Sequence, residues 1–305
     1  MWVSLVVLAT VIGSPPKLEA LVAAARKGDP VELDRVARRL GAARLGRALA
    51  NGPIDLQKAA LEAAPRVDES WTLLVPAARL CGSASDPLGQ AAARAVRRIA
   101  SQLVSGAPNL TEVPRDVVAV AVQALLHVAR AADLAAARRA DAIGLVALLS
   151  PLSPPARPEL LALLDDAAPP VRRAAVDALA ADPGATDALA RLLERDAQPQ
   201  VAAGAAAALC RRLPRIHQAA WTRLRELALS AKIDPADGID LVLCLAAGGQ
   251  EDRALVAEAA RKHPLAPVRA VAADLHKALT SAPAPTLRPA PPPKPPGAKP
   301  PGAKK

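Results

Sequence analysis

The sequence predicts an all-α protein in which pairs of helices stack into a solenoid. The segments 166–179 and 196–209 align at a fixed offset, with Asp, Pro, Val, Ala and Leu in register. Within them, apolar residues follow the spacing of one helix face. The chain is 52% apolar but contains no Phe and no Tyr, so Ala, Leu and Val must fill the core. An internal repeat with helical spacing is typical of a helical solenoid, and small side chains suit stacked helix pairs.

The repeat can be followed in both directions from the two matching segments. The same apolar face returns after Leu88 and after Val268, and another amphipathic run precedes each copy. A helix pair is therefore the predicted unit, and we expect about eight of them, covering 17–41, 43–64, 70–104, 114–150, 158–181, 185–213, 215–248 and 250–280. Proline should stand at or just before the start of the second helices, where its missing N–H is tolerated; these prolines are Pro30, Pro53, Pro87, Pro169, Pro199 and Pro267.

The proline-rich stretch 150–158 is the densest break inside this region. It is the point at which two sub-blocks would separate, although we expect the whole of 17–280 to form one continuous helical repeat domain.

An uncharged apolar run occupies residues 2–12 and ends at a Gly-Ser-Pro-Pro break. The run is too short to span a bilayer, which takes about 20 residues. Its length fits the apolar region of a secretory signal peptide, and Val11 and Gly13 suit a cleavage site, although no Lys or Arg precedes the run. We expect residues 1–14 to be a signal peptide and the protein to be periplasmic or secreted. The alternatives are a cytoplasmic protein and an uncleaved anchor.

The composition changes abruptly at the C-terminal end. Residues 283–305 contain ten prolines, five basic residues and no acid. Because proline blocks helix and little apolar surface is available for burial, we expect 282–305 to be disordered or polyproline-II-like. The segment fits a spacer or solubilising tail, and the alternative is weak contact with an anionic surface. It also carries half of the formal charge of +10, so the folded body is only mildly basic, which argues against nucleic acid as a partner.

The three cysteines, Cys81, Cys210 and Cys244, lie in apolar helical contexts and form no C-x-x-C pair. The favoured interpretation is three free buried thiols. A Cys210–Cys244 disulfide between neighbouring repeats is the alternative.

The segment Asp166–Leu179, with Pro169, Val171 and Arg172, resembles a unit of the HEAT-repeat family, in the subclass called PBS-lyase HEAT-like repeats. Val268 and Arg269 follow Pro267 in the same pattern. The resemblance implies a right-handed α-α superhelix. It also implies that Asp166, Arg172 and Arg269 form ladders between repeats and serve structure. Two copies depart from the family pattern, with Ala202 in place of the arginine and with Gly89 in the copy at 86–96.

No sequence motif with a catalytic mechanism is present, and neither a G-x-S-x-G elbow, a phosphate-binding loop nor H-E-x-x-H occurs. The four histidines, at 127, 217, 263 and 276, are scattered and have no partner at metal-ligand spacing. We therefore expect no catalytic residue, no metal and no cofactor. The segment 234–240 superficially resembles a calcium loop, but Asp234 or Asp237 fits a helix N-cap better.

The candidate partner-binding residues are the arginine pairs that recur on second helices and one tryptophan. An inner helix surface lined by such arginines would form a positive stripe, whereas the plain alternative is a solvated face neutralised by Asp and Glu. Trp221 shares a helix face with His217, which indicates packing or a surface contact. The predicted residues are Arg97, Arg98, Arg138, Arg139, Arg173, Arg211, Arg212 and Trp221.

These observations predict a non-enzymatic scaffold or adaptor that presents a helical-repeat surface to a protein partner, in the cell envelope. The resemblance also includes enzymes, namely alkylpurine DNA glycosylases and bilin lyases, whose pockets would need aromatic residues that are scarce here. Sequence-independent nucleic-acid binding through arginine-rich helices is the third hypothesis, and it predicts binding that weakens steeply with salt.

Overall fold

The computed structural model of the protein describes residues 18–105, 113–153, 157–211 and 218–281. These residues form α-helices joined by short connections and contain no strand, which confirms the all-α class. The predicted signal peptide at 1–14 and the tail at 282–305 lie outside the described residues, and so do Arg212 and His217.

Fifteen α-helices follow one another along the described ranges. In chain order they are α1 (Leu18–Lys27), α2 (Pro30–Asn51), α3 (Ile54–Ala63), α4 (Leu74–Leu80), α5 (Asp86–Val104), α6 (Arg115–Arg130), α7 (Ala136–Leu149), α8 (Arg157–Leu163), α9 (Pro169–Leu179), α10 (Thr186–Arg195), α11 (Pro199–Cys210), α12 (Gln218–Leu227), α13 (Pro235–Ala246), α14 (Gln250–Lys262) and α15 (Ala266–Ser281). Short 3₁₀ turns occur at Ala64–Arg66, Ser70–Leu73 and Pro183–Ala185.

Helix starts follow the sequence signals closely. Pro30, Pro169 and Pro199 each occupy the first position of a helix, where the missing N–H leaves no bond unmade. Asp234 is the N-cap of α13, and its side chain accepts a hydrogen bond from the backbone N–H of Ala236 at 2.8 Å. The helix-cap interpretation of 234–240 is therefore confirmed for Asp234.

Helix α2 is broken in its middle at Gly41. This residue has φ 72° and ψ 166°, a backbone conformation that side chains other than glycine's rarely allow. The break separates residues 30–40 from 42–51 and falls between the first two predicted helix pairs, 17–41 and 43–64.

The helices α3, α5, α7, α9, α11, α13 and α15 are called the second helices below, and each packs against the next one in this order. Each of α4, α6, α8, α10, α12 and α14, the first helices, packs against the second helix that follows it. The core between them is built mostly of Leu, Ala and Val, as the composition predicted.

Helix α11 differs from the other second helices because residues 201–209 are all buried. Seven of these nine residues are Ala or Gly, and the other two are Val201 and Leu209. Such small side chains allow neighbouring helices and long side chains to cover α11 on every side. Its location between α9 and α13 becomes important for the placement of Arg173.

Candidate partner-binding surface

Arg97 and Arg98 lie on α5 and are exposed to solvent. The nearest carboxylate to Arg97 is that of Asp141 on α7, 3.8 Å from Nη2, which is a weak surface contact. Arg98 lines a cavity of about 360 Å³ between α3 and α5. These two predicted residues are therefore available to a partner.

Arg138 is held inside the protein instead. Its guanidinium donates hydrogen bonds to the carbonyls of Cys81 and Ser83, at 2.5 and 2.7 Å, and pairs with Asp86 at 2.9 Å. A Cβ atom at Gly89 would collide with the guanidinium of Arg138. Gly89, which departs from the family pattern, is explained because it leaves room for Arg138.

Arg139 is buried, donates to the carbonyl of Ala129 at 2.9 Å, and forms an ion pair with Asp166. The pair joins α7 to the loop that precedes α9. The aspartate also accepts from the backbone N–H of Ala168 at 2.9 Å, which fixes the loop.

Arg172 repeats this arrangement one unit further along. Its Nε and Nη2 atoms donate to the two carboxylate oxygens of Asp196, at 2.7 and 3.0 Å. Burial of Asp196 favours its protonated form, but the hydrogen bonds from Arg172 and from the Gln198 N–H outweigh burial and lower its pKa. The predicted structural roles of Asp166 and Arg172 are therefore confirmed. At α11 the ladder stops, because Ala202 stands where the arginine would be.

Arg173 makes a longer connection. It reaches past α11 to Asp237 on α13, with N–O distances of 2.5 and 2.9 Å, and also donates to the carbonyl of Gln200. A Cβ atom at Gly204 would lie 2.7 Å from this guanidinium, so the side chain of Arg173 rests directly on the backbone of α11. Asp237 is buried, and its pairing with Arg173 explains how a carboxylate is accommodated there.

Arg211 is exposed and pairs with Asp240 at 3.0 Å across the surface. Arg212, the last of the predicted arginines, lies outside the described residues. Of the seven predicted arginines, then, only Arg97, Arg98 and Arg211 present their charge outward among the residues that the structure describes.

Trp221 is half-buried on α12 and donates its indole N–H to Asp252 of α14 at 3.2 Å. Asp252 also accepts from Nε of Arg225 at 2.6 Å and from the backbone N–H of Gly249 at 3.0 Å. Burial alone would raise the pKa of this carboxyl, but the three donors outweigh burial and lower it. The indole nitrogen of Trp221 thus serves to join two helices.

Sequence reasoning missed two cations at the α3–α5 cavity. Lys58 on α3 and Arg94 on α5 line it together with Arg98, and Glu62 is the only acid among its lining residues. A signal was available: α5 contains no acid after Asp86, so Arg94 and Arg98 have no carboxylate one helical turn away.

Cys210 of α11 and Cys244 of α13 form a disulfide, with 5.6 Å between their Cα atoms. The favoured expectation of free thiols is wrong for these two residues, because the second helices bring their side chains together. Cys81 is free and buried, as expected.

The thiol of Cys81 should be inert in the folded protein. Burial raises its pKa to about 12, and Arg138 lowers it only in part, so almost no thiolate exists at neutral pH. We expect no reaction with iodoacetamide in the native state and one alkylated cysteine after unfolding without reductant. Mass spectrometry of the alkylated chain checks this, and rapid native alkylation at Cys81 would contradict it.

His263 stands five residues before Val268, as Asp166 does before Val171 and Asp196 before Val201. It is buried, and its Nδ1 accepts from the backbone N–H of Leu265 at 3.1 Å, the same loop contact that the aspartates make. Arg269, in the first turn of α15, donates a hydrogen bond to the His263 carbonyl at 2.6 Å. Arg269 thus holds its own loop rather than an aspartate of the neighbouring unit.

The burial of His263 predicts a loss of stability in mild acid. Burial, with a smaller effect of the nearby Arg269 charge, lowers the pKa of His263 in the folded state. As the pH falls below the ordinary histidine value of about 6.5, the unfolded chain binds a proton that the folded chain does not, so unfolding is favoured. The free energy of unfolding should fall between pH 7 and 5 in the wild type. It should fall less in His263→Asn, whose amide oxygen accepts from Leu265 without titrating. Parallel curves for both proteins would contradict the prediction.

Within the described residues, no group of three or more His, Cys, Asp or Glu side chains is arranged to hold a metal ion. None of the described helices has the length and the apolar character needed to cross a membrane.

No protein-family model matches the sequence, and no curated protein matches it at a significant level. The resemblance of 158–213 and 250–280 to HEAT-like repeats therefore stays a prediction.

Proposed function

We propose that the protein is a non-enzymatic interaction scaffold, built as a right-handed HEAT-like superhelix of about eight helix pairs over residues 17–280. The continuous row of second helices supports this architecture, as do the Arg139–Asp166 and Arg172–Asp196 pairs between successive units. Solenoids of this kind present long surfaces to their partners.

The observation that carries the proposal is the α3–α5 cavity. Its three cations have no carboxylate partner among the described residues, whereas the arginines of α7 and the two of α9 are engaged by groups of the chain itself. An apolar centre inside a polar rim, with arginine enriched, is a common feature of surfaces that bind other proteins. Arg138, Arg139 and Arg173 are engaged within the chain, which removes three of the predicted arginines from a stripe that could follow a phosphate backbone, so the nucleic-acid alternative has less support.

The Cys210–Cys244 disulfide supports a location in the cell envelope or outside the cell, because disulfides persist in oxidising compartments. In this proposal residues 1–14 direct export, and the Lys- and Pro-rich segment 282–305 serves as a spacer. Cell fractionation with N-terminal sequencing tests it. We expect periplasmic or secreted protein whose mature chain begins near Ser14, and a cytoplasmic protein that retains Met1 would contradict it.

A cross-linking experiment tests the scaffold itself. A photo-cross-linking amino acid is placed at Arg97, beside the cavity, or at Arg191, which is exposed on the first helix α10. Both variants are expressed in the native cell as full-length chains. We expect one discrete protein to be cross-linked from position 97, identified by mass spectrometry, and not from position 191. Equal labelling from both positions, or labelling of nucleic acid, would count against the proposal.

A further inference from the structure

The cavity between α3 and α5 combines a basic rim with an apolar floor. Leu61 of α3 and Ala91 and Ala95 of α5 form the floor. At the rim stand Lys58, Arg94 and Arg98, together with Glu62. The volume of about 360 Å³ accommodates a few side chains rather than a folded domain.

The rim cations combine two properties, since they converge on one cavity and have no partner in the described part of the chain. Among the described residues, Lys58, Arg94 and Arg98 form no ion pair and donate no side-chain hydrogen bond. Glu62 belongs to the rim but forms no ion pair with them. A cavity rim with two positive charges in excess is arranged to attract an anion.

We propose that this cavity binds a short acidic segment of a partner protein, in which carboxylate side chains flank a small apolar side chain. Arg94 and Arg98 lie one helical turn apart on the same face, so their forked donors can each hold one carboxylate. The apolar side chain rests on Leu61, Ala91 and Ala95. The inference rests on the proposed scaffold function and names the chemistry of its partner.

A nucleic-acid strand fits the cavity less well. Non-specific binding of such a strand uses a groove of cations along its backbone and aromatic side chains that stack on the bases. Within the described part of the chain the aromatic residues are Trp71 and Trp221, neither of which lines the cavity. Glu62 would also repel a continuous row of phosphates.

Fluorescence anisotropy with a labelled peptide of alternating Glu and Leu tests the inference on the full-length protein. A variant of the α3–α5 cavity, called the groove variant below, carries Arg94→Glu and Arg98→Glu. The control variant carries Arg191→Glu and Arg253→Glu, which change the net charge equally at exposed positions on first helices. We expect the groove variant to bind the peptide about tenfold more weakly or worse, which is about 1.4 kcal/mol, and the control variant to bind within about twofold of the wild type, because distant surface charges are screened by salt. Thermal unfolding should be alike in all three proteins.

Two results would overturn the inference. One is equal peptide binding by wild type and groove variant. The other is tighter binding of a single-stranded oligonucleotide than of the peptide, lost in the groove variant. If the groove variant loses neither the peptide nor the protein cross-linked from position 97, the acidic-segment inference fails while the scaffold proposal stands. If no protein is cross-linked although the peptide binds at the groove, the scaffold proposal fails instead.

Discussion

Replacing Cys210 and Cys244 by alanine together should lower the free energy of unfolding by about 3–4 kcal/mol. The disulfide closes a loop whose ends are 34 residues apart in sequence. A cross-link of that span removes conformational entropy from the unfolded chain worth about 4 kcal/mol in the loop-closure model. Because domains are stable by only about 5–15 kcal/mol, this is a large share of the total.

Urea unfolding followed by far-UV circular dichroism measures the effect, with and without dithiothreitol. The wild type should lose stability in reductant, whereas the double variant should be indifferent to it. The matched control is Cys81→Ala, which removes a buried free thiol and should leave the response to reductant intact. A wild type whose unfolding midpoint does not change on reduction would show that the bond contributes nothing.

Replacing Arg173 by alanine should destabilise the protein by about 2–4 kcal/mol. The carboxylate of Asp237 would then stay buried without its cation. An uncompensated buried charge strongly destabilises the folded state. Asp237→Val should cost less, because Arg173 is partly exposed and retains Asp177 on its own helix at 3.2 Å. In the double variant the carboxylate is absent, so we expect it to be more stable than Arg173→Ala alone.

A double-mutant cycle on Arg173 and Asp237 isolates the pair, with Arg211→Ala as the control. Arg211 also pairs with an aspartate on α13, but both side chains are well exposed, so its loss should cost below about 1 kcal/mol. If Arg173→Ala left stability unchanged and abolished partner cross-linking, Arg173 would belong to the binding surface, as the sequence first indicated.

The sequence predicted the helical class and the positions of helix starts because both depend on local chemistry. The apolar period identified buried faces, and prolines and Asp234 marked first turns. The ladder role of Asp166 and Arg172 was also predictable, since both belong to the repeated segment.

What the sequence could not supply depends on distances between helices. Whether Cys210 and Cys244 meet is decided by how closely α11 and α13 pack, which no spacing rule states. Arg138 and Arg173 looked like members of a surface stripe. Gly89 and Gly204 have no side chain, however, and so leave room for each arginine to lie across the neighbouring helix. The glycines were visible in the sequence, but their relation to arginines on other helices was not.

The ion pair between Arg173 and Asp237 has a consequence for how the protein comes apart. In stacked helical repeats each unit touches only its neighbours, so such arrays can fray unit by unit from their ends. This pair joins α9 to α13 and passes over α11, while the disulfide joins α11 to α13. Opening α9 or α13 therefore breaks the ion pair, and the covalent link keeps α11 tethered to α13. Amide hydrogens in α9, α11 and α13 should exchange with a common rate-limiting opening, as one cooperative block within an otherwise divisible chain.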